Sequence, residues 1–222
     1  MTNSSHPSFE DPRPHQDQQL HTAGAPRGAA DAAIVLVHGR GAKATGMLQT
    51  AQEFYRHGVM LLAPQAARYT WFPNRASAPI EANEAWLTSA VDAVQNAVDA
   101  ATDAGVPPER TILFGFSQGA AVAGEFAIRH PRRYGGIVLA AGTIPGLPER
   151  EPVVHGTLDG TPVTLAGSED DPNLDTAAVQ RTADVVERGD ARVMQAITRD
   201  SGHTITDDAI DAVESLLDDV LE

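Results

Sequence analysis

Six short apolar runs alternate along the chain with stretches of helical periodicity. They are AAIVLV (32–37), VMLLA (59–63), TILFG (111–115), GIVLAA (136–141), PVTLA (162–166) and RVMQAI (192–197). Runs this brief, and this rich in Val, Ile and Leu, suit strands covered on both faces of a parallel sheet. Between them, Leu87, Val91, Val94 and Val98 recur at helix spacing within 80–104, while Asp92, Gln95, Asp99 and Asp103 lie off that stripe. Gly105 followed by Pro107 and Pro108 closes that helix. Similar patterns predict helices near 44–57, 118–130, 176–188 and 205–221. Strands alternating with helices predict a doubly wound α/β sandwich with functional loops at the carboxyl ends of the strands. QQLHTAG reads as an edge strand leading to the Pro26 turn, and Trp86 reads as core. Residues 1–17, rich in Pro, His and polar side chains, are expected to form a loose tail, and 18–222 a single domain without repeats.

Composition removes several functions. With 222 residues and 42% hydrophobic content the chain can bury a core. It has no cysteine, which excludes a disulfide framework, a thiolate metal site and a cysteine nucleophile. The first residues lack the basic start and apolar run of a signal peptide, and no apolar stretch is long enough to span a bilayer. The expectation is a soluble, cytoplasmic protein. A net charge of −14 opposes binding to nucleic acid or to an anionic membrane. Lys43 is the only lysine, a pattern of halophilic surfaces, where counterions screen carboxylate repulsion. An acidic mesophilic protein from a GC-rich genome would share the bias toward Arg and Ala.

Gly115-Phe116-Ser117-Gln118-Gly119 matches G-x-S-x-G at the join between a predicted strand and a predicted helix. Side chains at 115 and 119 would collide across so sharp a turn, so both positions need glycine. The turn pushes the Ser117 hydroxyl out over the sheet edge, and the helix start points backbone N–H groups at it. A chance match would leave Ser117 as a simple helix cap. The strand–turn–helix context favours a nucleophile.

A serine nucleophile needs a base, and the base needs an orienting carboxylate. In hydrolases with this elbow the chain order is Ser, then Asp or Glu, then His. His130 ends the elbow helix, where a cation would complement its dipole, and His155 precedes the strand before any plausible acid. That leaves His203, in the loop after the last strand, as the base. The acid is expected in GSEDDPNLD after the preceding strand, where Glu169, Asp170, Asp171 and Asp175 all qualify. After the first long strand, His38-Gly39-Arg40-Gly41 can aim the Arg40 N–H beside that of Gln118 to form an oxyanion hole. The same turn lacks the Gly-Lys-Ser/Thr of a P-loop and the third glycine of a dinucleotide fingerprint.

LVHGRGA, GFSQGAAVA, GSEDDP and SGHTI, in this order and at these separations, resemble the phospholipase/carboxylesterase family of α/β-hydrolases, which includes acyl-protein thioesterases. The resemblance covers most of the chain from about Leu20. It implies an α/β-hydrolase fold with little or no cap and a Ser117–Asp–His203 triad. It also implies oxyanion amides at Arg40 and Gln118, and hydrolysis of esters or thioesters without cofactor or metal. The family's Asp-Pro turn assigns the acid to Asp171, with Asp170 as rival. The chain departs from the thioesterase branch in carrying Arg40 where that branch has a hydrophobic residue, and PQAARYTWFPN where it has an Asn-Gly-Gly segment. The expected substrate is therefore a small-molecule ester or thioester, with Trp71, Phe72 and Met47 as candidate pocket residues against simple core packing. A dienelactone-hydrolase-like lactonase and a non-catalytic receptor of the same fold are the alternatives. The oligomeric state, monomer or homodimer, is not legible.

Overall fold

The computed structural model describes residues 12–147 and 149–222. Seven strands form one sheet in the order β1-β3-β2-β4-β5-β6-β7. They are β1 (Leu20–Gly24), β2 (Ala32–Val37), β3 (Val59–Pro64), β4 (Thr111–Phe116), β5 (Gly136–Ala140), β6 (Pro162–Ser168) and β7 (Arg192–Thr198). β1 pairs antiparallel to β3, and all other pairings are parallel. The helices are α1 (Ala44–Thr50), α2 (Glu84–Asp103), α3 (Gln118–Arg129), α4 (Thr176–Arg188) and α5 (Asp207–Leu221).

A fully apolar strand hides its period of two, and the packing reveals it. Ala33, Val35 and Val37 of β2 join the core formed with α2, α3 and α4, whereas Ala32, Ile34 and Leu36 join the core formed with α1 and α5. β5 divides in the same way, with Ile137 and Leu139 on one face and Val138 and Ala140 on the other. Burial of both faces is the driving force that makes the inner runs strands, and it places one helical layer on each side, whereas the edge strand β7, expected to be covered on both faces, leaves Met194 59% exposed.

Element boundaries differ from the sequence reading mainly at ends. The helix expected over 44–57 is α-helical only to Thr50 and tightens into a 3-10 turn over Ala51–Glu53. The helix expected from 80 starts with a 3-10 turn at Ile80–Ala82 and becomes α-helical at Glu84. Asn83 spends its side chain on the preceding loop, accepting from the Asn74 amide and donating to the Arg75 carbonyl, rather than capping α2.

Of the expected tail, residues 1–11 lie outside the described residues. Within the rest, the looseness expected through Asp17 does not hold at His15, which is buried with 2% exposure. Its ring lies 5.2 Å from that of Trp71 and 5.4 Å from that of Trp86.

The topology fixes where a site can form. From β2 the chain crosses to β3 on one side, while β4 pairs with β2 on the other. Such a reversal opens a crevice beyond the carboxyl ends of the two strands concerned. The segments that leave those ends are His38-Gly39-Arg40 and Ser117.

Candidate active site

Ser117 occupies the bend between β4 and α3 with φ 54° and ψ −118°, a conformation that side-chain-bearing residues rarely adopt. The bend is possible because its flanks are glycine. A Cβ on Gly115 would lie 2.4 Å from the Gly119 carbonyl oxygen, and one on Gly119 would lie 2.0 Å from the Val37 carbonyl oxygen. The Ser117 amide donates to the Ala140 carbonyl at 2.8 Å, which ties the strained residue to β5.

Three expected residues converge. His203 Nε2 lies 2.8 Å from Ser117 Oγ, and His203 Nδ1 lies 2.7 Å from Asp171 Oδ2. The Asp171 carboxylate is buried, and its other oxygen accepts the Asn173 amide at 2.8 Å. A carboxylate on Nδ1 fixes the proton there and leaves Nε2 as an acceptor facing the serine. The Phe116 ring packs 5.2 Å from the imidazole and limits its rotation.

Asp170 has a different task. Its Oδ1 accepts from the Ser168 hydroxyl and from the Gly202 amide, the latter at 2.9 Å. The Ser168 bond first, and then the Gly202 amide, hold this carboxyl below the usual range. Ser168 Oγ in turn accepts the Ser201 amide at 3.1 Å. β6, which runs two residues beyond its expected end, thus braces the loop that presents His203.

The amides of Arg40 and Gln118 flank the same crevice. Gln118 is the first residue of α3, where an amide has no partner within its helix. Among the described residues the Arg40 amide likewise donates to no protein acceptor. Both side chains reach one segment, residues 70–74. Gln118 Nε2 donates to the Phe72 carbonyl at 2.7 Å, and its Oε1 accepts the Trp71 amide at 2.8 Å. The Arg40 guanidinium donates to the carbonyls of Phe72, Pro73 and Asn74 at 3.0, 3.0 and 2.6 Å. Trp71 Nε1 closes the set on the His38 carbonyl at 2.7 Å.

The candidate pocket residues are buried. Trp71 and Phe72 are 0% and 1% exposed in the core beside α2 and α3, and Met47, 4% exposed, packs in the opposite layer. The three are core side chains in this arrangement, and the segment carrying two of them is pinned from both sides.

Sequence reasoning missed the side-chain roles of Arg40 and Gln118, along with two buried histidines. His38 Nδ1 faces the Gly39 carbonyl at 2.8 Å, and its Nε2 accepts the Ala66 amide at 3.0 Å. Burial pushes its pKa down. No local signal could find the His38–Ala66 pair, whose members lie 28 residues apart. His130 does cap α3, through its backbone amide on the Phe126 carbonyl at 2.9 Å, while its ring stacks on that of Phe126 at 5.0 Å, and burial lowers its pKa away from the cationic form expected there.

Residues 21–221 match the family described as Phospholipase/Carboxylesterase. The chain belongs to that family. Acyl-protein thioesterase 1 of Saccharomyces cerevisiae is 28% identical over 168 residues, covering 60% of this chain and 72% of the yeast protein. Among solved structures, a phospholipase/carboxylesterase from Dyadobacter fermentans superposes with a TM-score of 0.85 at 30% identity, covering 93% of this chain and 97% of its own. The carboxylesterase of Bacillus cereus, at 18% identity and a TM-score of 0.74, covers 92% of this chain and 95% of its own and shares the fold. This phospholipase/carboxylesterase family hydrolase therefore has the α/β-hydrolase architecture, with no cap evident among the described residues. No helix among them is long and apolar enough to cross a membrane, and no cluster of three His, Asp or Glu is placed to hold a metal ion.

Proposed function

We propose that this family member is a serine esterase whose nucleophile, base and acid are Ser117, His203 and Asp171. The observation that carries the reading is the continuous hydrogen-bonded chain from Asp171 Oδ2 through the His203 ring to Ser117 Oγ, with links of 2.7 and 2.8 Å. Ser117 Oγ attacks the substrate carbonyl while His203 Nε2 takes its proton. Asp171 holds Nδ1–H and stabilises the imidazolium that forms. The oxyanion accepts the Arg40 and Gln118 amides, which cost no reorganisation because their carriers are already fixed. Nε2–H then protonates the departing alcohol or thiol. Water, deprotonated by the same nitrogen, cleaves the acyl-enzyme and regenerates Ser117.

The substrate in this reading is a small ester or thioester rather than an acylated protein, since Arg40 replaces the hydrophobic residue of the thioesterase branch. Absence of cysteine and a charge of −14 fit a soluble enzyme of the reducing cytoplasm. The test is labelling by a fluorophosphonate probe together with turnover of p-nitrophenyl esters, acyl thioesters and lactones. The expected result is labelling of the parent and loss of both labelling and turnover in a folded Ser117→Ala variant. Undiminished labelling of that variant would falsify the assignment.

A further inference from the structure

Among the described residues ahead of the family-matched ones, His15 reaches the turn that lies beside the active site. His15 Nδ1 accepts the Ala67 amide at 3.0 Å, and its Nε2 lies 2.9 Å from the Trp71 carbonyl, so the ring is held as the neutral Nε2–H form. Its own amide donates to Ser89 Oγ of α2 at 3.0 Å. The ring sits against both tryptophans of the chain, Trp71 and Trp86. One imidazole thereby fastens both ends of the turn 67–71 to α2.

That turn bridges the two segments bearing the Arg40 and Gln118 amides. On one side, the Gly41 amide donates to the Tyr69 carbonyl at 2.6 Å and Trp71 Nε1 to the His38 carbonyl at 2.7 Å. On the other side, the Trp71 amide donates to Gln118 Oε1 at 2.8 Å. The turn is strained, with Arg68 at φ 53° and Tyr69 at φ 59°. Two consecutive side-chain-bearing residues in the left-handed region persist only where surrounding contacts over-determine them. Among the contacts that do so here are the buried imidazoles of His15 and His38, which accept the consecutive amides of Ala67 and Ala66.

We infer that residues 12–19 form a strap, and that His15 is a positioning residue which sets the spacing of the Arg40 and Gln118 amides through the 66–72 turn. The effect on rate rests on the serine-esterase reading, whereas the effect on the turn does not. Because an oxyanion donor acts on the transition state, a shift in its position lowers kcat and leaves KM nearly unchanged. Outright loss of one donor costs about 10²–10³ in kcat, and an indirect displacement falls below that.

The test compares His15→Phe, which fills the same space between the tryptophans but has neither polar nitrogen, with His15→Gln, which keeps a donor and an acceptor. His15→Phe is expected to lower kcat for p-nitrophenyl acetate about tenfold with KM within about twofold. Hydrogen exchange at the Ala67 and Trp71 amides should quicken, and His15→Gln should recover most of both effects. Parental kcat together with parental exchange at those amides in His15→Phe would overturn the strap. If the parent shows no ester turnover, the serine-esterase reading fails, while the exchange data still decide whether His15 holds the turn. If His15→Phe does not fold, His15→Asn, too short to reach both the Ala67 amide and the Trp71 carbonyl, is read in its place: quickened exchange at the Ala67 and Trp71 amides with a lowered kcat supports the strap, and parental exchange with parental kcat overturns it.

Discussion

Asp170 and Asp171 are neighbours in the chain and hold two different parts of one loop. Asp171 Oδ2 grips the His203 ring at 2.7 Å, while Asp170 Oδ1 grips the Gly202 amide at 2.9 Å. The pair divides orientation of the imidazole from support of the backbone that carries it. Asp171→Asn keeps the shape but cannot hold the required tautomer or stabilise the imidazolium. In a serine protease such a change costs on the order of 10⁴ in kcat, and a similar loss is expected here. Asp170→Asn keeps an acceptor for the Gly202 amide, so its kcat should stay within about tenfold of the parent. Steady-state kinetics on one p-nitrophenyl ester checks both, and the reverse order would make Asp170 the acid.

What was legible in the sequence follows from the range of the forces involved. The elbow is a local steric problem, and its solution, glycine at 115 and 119, is written within five residues. The Asp-Pro turn and the SGHTI loop are also local, and strands and helices announce themselves through periodicity. The roles of Arg40 and Gln118 beyond their amides were not legible. Their side chains meet Phe72 from 32 and 46 residues away, across a contact that exists only in the folded chain. The same holds for His15, whose polar, proline-rich surroundings read as a tail although its ring is a buried hydrogen-bonding hub.

Arg40 supplies a second check on the clamp. Arg40→Met retains the backbone amide and the aliphatic stem but releases three carbonyls. Bonds to an exposed guanidinium are worth less than buried ones, and a stability loss of about 1–2 kcal/mol is expected in urea melts. Lys offers a single charged point instead of a planar fork, so Arg40→Lys should recover little. Stability equal to the parent in both variants would show that the carbonyls are as well served by water.

Glu125 is the charged anchor of α3. Its side chain is fully buried, and its oxygens meet Arg129 Nε at 2.6 Å and Arg150 Nη1 at 2.6 Å. Both arginines are about a quarter exposed, so each keeps access to water. Glu125→Ala would leave Arg150 without its carboxylate and Arg129 with only the more exposed Glu84 and Thr88, and is expected to destabilise the fold by about 3 kcal/mol. Arg150→Ala leaves Glu125 still paired with Arg129 and should cost less. Equal midpoints of denaturation for the two variants would contradict this ranking.

Salt offers a test of the surface. A charge of −14 on 222 residues implies self-repulsion, which counterions relieve. The melting temperature should rise from low salt to molar KCl if the composition is halophilic. A flat or falling melting temperature would favour the mesophilic explanation for the scarcity of lysine.

His38 makes folding sensitive to acid in a way that can be isolated. Folded, it is buried and neutral, with Nε2 accepting the Ala66 amide and Nδ1–H donating to the Gly39 carbonyl. Protonation would turn the acceptor into a donor facing another N–H. Burial accordingly lowers its folded pKa below the ordinary value of 6.5. Between the two values the unfolded chain binds more protons than the folded one, so stability falls as pH drops through about 6.5 and levels off below the folded pKa. His130, also lowered by burial, adds a term of the same sign. His38→Gln removes one titration and keeps an amide able to accept and donate, so its urea midpoint should fall less than the parent's between about pH 7.5 and 5. The difference between the two curves cancels His130 and the carboxylates common to both. Parallel curves would mean that His38 binds its proton equally in the folded and unfolded chain and so adds nothing to the acid sensitivity.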